Sequence, residues 1–90
     1  MNGTTEEVNV DLTMAALSAM VTQETDGNET LQELLRASTA IKIGITKEAD
    51  CALRIAMIDQ DGVVILDKID PRDKWEHFFQ LLGLRTPVQE

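Results

Sequence analysis

Residues 52–69 read Ala52-Leu53-Arg54-Ile55-Ala56-Met57-Ile58-Asp59-Gln60-Asp61-Gly62-Val63-Val64-Ile65-Leu66-Asp67-Lys68-Ile69. Two runs rich in β-branched and aliphatic residues flank an Asp-Gly pair. Gly reaches positive φ without a Cβ clash, so Asp61-Gly62 between such runs is a strong local hairpin signal. The stretch predicts antiparallel strands over 52–58 and 63–69.

On either side the pattern continues. Ile41, Ile43 and Ile45 alternate with Lys42, Gly44 and Thr46, which predicts a further strand and a three-stranded antiparallel meander over about 41–69. Downstream, Asp70-Pro71-Arg72-Asp73 reads as a helix start, with Asp70 as the cap and Pro71 at the first helical position. Trp75, Phe78, Phe79 and Leu82 follow at i, i+3, i+4 and i+7, one apolar stripe suited to covering a sheet face, while Glu76, His77 and Gln80 take the solvent side. A second reading puts Trp75 at the rim of a binding site. Gly83 ends the helix, Leu84 supplies a hydrophobic contact beyond it, and Pro87 prevents continuation.

Upstream of the strands lie two helices. Val8, Val10, Leu12 and Met14 alternate with polar residues, a pattern compatible with a short strand. A helix over about 11–24 is favoured instead, because Asp11 is a competent cap and Met14 to Met20 are strong helix formers. Thr25 to Asn28 forms a turn, and a second helix runs over about 29–40, with Thr30 and Glu33 at capping-box spacing and Asn28 as an alternative cap. Its stripe of Leu31, Leu34, Leu35 and Ile41 is narrow. The first helix differs. Its apolar residues spread over about 200° of circumference, where a surface helix needs about 100°. It therefore has more apolar face than one neighbour covers. The fold class is α+β: an N-terminal helical pair, a three-stranded meander and a C-terminal amphipathic helix on the sheet. Residues 1–90 are expected to form one domain, with 1–7 and 85–90 as loose tails.

Charge is unevenly placed. The 90 residues carry sixteen acids against eight bases, a net charge of −8. Residues 1–35 hold seven of the acids and no Lys or Arg. That balance argues against nucleic acid or an anionic membrane as a direct partner and favours a basic protein surface. No apolar run reaches the roughly 18 residues of a membrane-spanning helix. The single Cys51 precludes an internal disulfide, and with no secretory signal at the start the expected location is cytoplasmic.

Catalytic and metal motifs are not found. Asp59-Gln60-Asp61-Gly62 superficially suggests a calcium loop, but with Gly62 in sixth place the first and twelfth ligand positions fall on Met57 and Lys68. Cys51 and His77 are too few for a zinc site, and the pattern does not bring them together as a nucleophile and base; Cys51 is expected buried or half-buried. No phosphate-cradling glycine motif surrounds Gly44 and Lys47. No enzyme activity and no cofactor are expected.

The reading that remains is a small acidic protein-interaction module, a regulatory or accessory subunit of a larger complex. Met14, Leu17, Met20 and Val21 supply buried contact area, Glu24, Asp26, Glu29 and Glu33 supply steering, and a homodimer is a candidate assembly. The alternative is an acidic inhibitor whose carboxylates imitate nucleic-acid phosphates and block a basic cleft.

Overall fold

The computed structural model describes residues 5–22 and 28–85. In chain order these form β1 (Thr5–Val8), α1 (Leu12–Thr22), α2 (Asn28–Ala37), β2 (Lys42–Lys47), β3 (Ala52–Ile58), β4 (Val64–Pro71) and α3 (Arg72–Leu81). The four strands make one antiparallel sheet in the order β1-β2-β3-β4. The fold is α+β, with α3 packed against the sheet as expected.

Three strands were expected and the sheet has four. Thr5 to Glu7, placed by their polar composition in a loose tail, join Val8 in a strand that pairs with β2 from Thr5↔Thr46 to Val8↔Ile43. The Thr5 and Thr46 hydroxyls meet across the pair at 2.7 Å. This strand escapes the apolar pattern because it is an edge: only Val8 is part-buried. Leu12 to Met14 of the alternation belong to the helix, whose start is as predicted. The Asp11 carboxylate accepts the Met14 N–H at 3.1 Å.

The hairpin forms as the sequence requires. Gly62 sits at φ +80°, and Gly62 N–H donates to the Asp59 carbonyl at 3.0 Å. Asp59 Oδ1 accepts from both Asp61 N–H and Val63 N–H, fixing the turn with a side chain from its first residue.

All three helices lie on the sheet face that carries Ile43, Ile45, Leu53, Ile55 and Met57. One core joins these strand residues to Leu12, Ala16, Ala19 and Leu34 from α1 and α2, and to Trp75, Phe78 and Phe79 from α3. The aromatic stripe is wholly core. Trp75 is fully buried and donates Nε1–H to the Leu53 carbonyl at 3.1 Å, so it stands at no rim. Beyond Leu82, Gly83 takes φ +75°. The Leu84 N–H then reaches the Phe79 carbonyl at 2.8 Å and the Gly83 N–H reaches Gln80 at 3.0 Å, closing the helix as the sequence foretold.

Three local expectations are corrected. Asp70 does not cap α3. Strand β4 runs on to Pro71, which pairs with Ala52, and Pro71 occupies the cap position with no side-chain bond. The ladder thus overrides a strong local helix-start signal. Thr30 does not cap α2 either: the helix begins at Asn28, so Thr30 lies inside its first turn. Cys51 is exposed rather than buried, in a turn where it and Asp50 both have positive φ.

Candidate functional site

α1 is anchored through a narrow strip of small residues. Leu12, Ala16 and Ala19 are buried. Alanine at the last two of these positions lets the helix backbone approach the core closely, and it leaves most of the larger side chains elsewhere on the cylinder. Met14, Leu17 and Val21 point away from the chain, with 62%, 45% and 85% of their surface exposed. Val10, just ahead of the helix, is also exposed. Met20 differs from its expected role: it is half-buried and packs on the core. The excess apolar arc read from the sequence is therefore real, and its outer half is uncovered.

Spacing sharpens this. Met14, Leu17 and Val21 are separated by 3 and 4 residues, which sets them along one seam of α1. The seam lies on the side opposite Leu12 and Ala19. No charged residue occurs from Leu12 to Thr22.

The carboxylates expected to steer a partner are differently employed. Glu33 on α2 is buried, with a side chain only 2% exposed, so no partner can touch it. Its Oε2 accepts from Lys68 Nζ at 3.0 Å and lies 3.4 Å from Lys74 Nζ, while Oε1 is buried with no hydrogen-bond partner. Glu29, one turn earlier and exposed, receives Lys68 at 2.7 Å and Lys74 at 3.2 Å. Asp70, freed from capping, completes the group at 3.3 Å from Lys74. Two ammonium groups thus sit among three carboxylates and clamp α2 to β4 and α3.

The electrostatics follow from these contacts. Hydrogen bonds from Lys68 and then Lys74 hold the Glu29 carboxyl below its usual range. The bond to Glu29 is the main reason Lys68 keeps its proton more firmly than an ordinary lysine, with burial opposing. For Lys74 burial is the largest influence and favours proton loss, yet the bonds to Glu29 and Asp70 and the charge of Glu33 outweigh it. The group acts as a structural clamp with little charge to offer a partner. Glu24 and Asp26 lie outside the described residues. A regular array of free carboxylates, which phosphate imitation needs, is correspondingly reduced: two of its four members serve this clamp.

The second uncovered surface is the sheet face turned away from the helices. It carries Gly44, Ala56, Val64 and Ile69 among charge pairs: Lys42 with Glu7 at 3.1 Å, and Arg54 bound to Asp67 through two hydrogen bonds of 2.8 and 2.7 Å. Such alternation is ordinary for an antiparallel sheet that meets water on one side. The outer face of α1 has no such polar interleaving.

Among the described residues no cluster of His, Cys, Asp and Glu is arranged to hold a metal ion, and no helix is long and apolar enough to cross a membrane. Cys51 is exposed at the turn before β3 and His77 is exposed on α3. Comparison of the chain with known protein families, curated proteins and solved structures finds no match.

Proposed function

We propose that this chain is a protein-interaction module, without catalytic activity of its own, that docks through the outer face of α1. One observation carries the reading: Met14, Leu17 and Val21 stand together, exposed, on an uncharged helix face that none of the described residues covers. Exposed apolar residues scattered singly need no explanation, but three on one seam of one helix do. The charge clamp supports the same reading. It spends Glu29 and Glu33 on internal lysines and so shifts the recognition from charge towards apolar contact.

Site-specific photo-crosslinking in the cell tests this. A photoreactive residue at Val21 is expected to form a discrete protein adduct. The same residue at Ile69, on the outer sheet face and 57% exposed, serves as the control. No adduct at Val21, or equal adducts at both positions, overturns the assignment of the docking face.

A further inference from the structure

β1 and β2 are neighbours in space but not in sequence. Val8, the last residue of β1, pairs with Ile43, near the start of β2. The chain between them leaves and re-enters the sheet at adjoining points, and that excursion carries α1 and α2. We infer that α1 and α2 form a flap, which swings from the sheet as one unit about stems at Val8 and Ile43 and is latched by Glu33 to Lys68 and Lys74. A segment whose two ends lie together can move without pulling the strands apart.

Three observations carry this. First, the helices meet their own backbone needs beside the stems. Asp11 caps α1. The Ser38 and Thr39 hydroxyls donate to the Leu35 and Arg36 carbonyls at 2.6 and 3.0 Å and close α2. Opening leaves these groups paired. Secondly, α1 and α2 pack more on each other than on the strands, and α1 buries only Leu12, Ala16 and Ala19 wholly. Thirdly, among the described residues every ion pair joining α2 to β4 and α3 runs through Glu29 and Glu33. The Glu33 Oε1 is buried without a hydrogen-bond partner. Closing therefore dehydrates an oxygen that water would satisfy in the open form, which offsets part of what the lysines contribute. The open form bares Ile43 and Ile45, wholly buried when closed, and keeps β3, β4 and α3 joined through Trp75, Phe78 and Phe79. Contiguous units of this kind open at less free energy than complete unfolding.

Amide hydrogen exchange of the full chain in rising, sub-denaturing urea tests the flap. The slowest amides of α1 and α2 are expected to share one opening and to exchange about tenfold or more faster than the slowest of β3. Lys68→Met removes the latch and should speed α1 and α2 by about tenfold or more. Trp75→Phe weakens only what stays joined in the open form, so it should speed β3 and leave the slowest amides of α1 and α2 unchanged. Gly62→Ala, in the turn between β3 and β4, should do the same to a smaller extent, and it decides the matter even if Trp75→Phe fails to fold. Helices and strands that exchange through one common opening overturn the flap. So does a helix pair that Gly62→Ala or Trp75→Phe accelerates as much as β3, or one whose exchange Lys68→Met leaves unchanged.

Discussion

Lys68 on β4 meets Glu33 on α2 at 3.0 Å, across 35 residues of sequence, and the carboxylate it meets is almost wholly shielded from water. In register terms Lys68 stands opposite Ile55, on the core-facing side of the sheet. The second helix is therefore fastened from within as well as packed. Removing the ammonium leaves a buried anion with only Lys74, at 3.4 Å, to balance it. Stranding a buried charge costs more than the pair itself contributes. Lys68→Met is expected to destabilise the fold by about 2 kcal/mol, and the double variant Lys68→Met/Glu33→Leu by less than the single one. Urea midpoints of the two variants against the parent check the ordering.

The same clamp fixes an acid limit. Glu29 titrates below the ordinary carboxyl value of 4.5 because Lys68 and Lys74 donate to it, and Lys68 titrates above 10.5 chiefly through Glu29. A lowered carboxyl contributes stability above its unfolded value and loses it as pH falls through the folded one; a raised lysine contributes fully below its unfolded value and loses it only at the alkaline end. Asp67 behaves like Glu29, lowered by Arg54 from a usual 3.8. Stability should thus be level between about pH 5 and 10 with respect to these groups and decline as the solution is acidified below 4.5. Urea midpoints taken from pH 3 to 7 measure this, and Glu29→Gln should flatten the decline.

Glycine positions separate strain from space. Gly62 has φ +80° and open space around its would-be Cβ, so Gly62→Ala meets no atom but must hold an unfavourable backbone angle, at a cost of about 1 kcal/mol. Gly44 lies in β2, where a Cβ would touch only the Thr5 Cγ2 at an ordinary 3.8 Å. Gly44→Ala should stabilise the sheet by about 0.5 kcal/mol through reduced chain entropy. Opposite signs in the shift of thermal midpoint are the expected outcome.

Trp75 reports on the core. It packs edge-on to Phe78 with ring centroids 5.5 Å apart, and its indole N–H satisfies the Leu53 carbonyl. Trp75→Phe removes ring volume and the indole hydrogen bond to that carbonyl together, for a loss of about 2 kcal/mol. In the parent the single tryptophan should fluoresce at shorter wavelength than in urea, and amide exchange at Leu53 and its neighbours should accelerate in the variant.

How much of this was legible in the sequence depends on the range of the forces involved. The Asp59–Gly62 turn and the Gly83–Leu84 helix end are set by neighbouring residues and were readable. So was the surplus apolar arc of α1, since helical spacing alone determines it. β1 was missed because Thr5, Glu6 and Glu7 show no alternation of apolar side chains; its place comes from backbone pairing with a strand some forty residues away. Asp70 was misassigned for the same reason. Locally it resembles a helix cap, but β4 pairing extends past it and two lysines claim its carboxylate. Glu33 showed capping-box spacing, and nothing nearby disclosed that Lys68 and Lys74 would arrive from the far end of the chain.

β1 has a further consequence, for what happens at the rim of the sheet. Behind it, β2 is a ladder of Lys42, Ile43, Gly44, Ile45, Thr46 and Lys47, with isoleucines on the core side and only short or charged residues on the other. Were that ladder left open, its unpaired N–H and C=O groups would template a strand from a neighbouring molecule. β1 occupies the position with four residues and ends the sheet in Thr5, Glu6 and Glu7, whose polarity gives a newcomer little to grip. The shortest strand among the described residues is thus the guard against fibril-like growth.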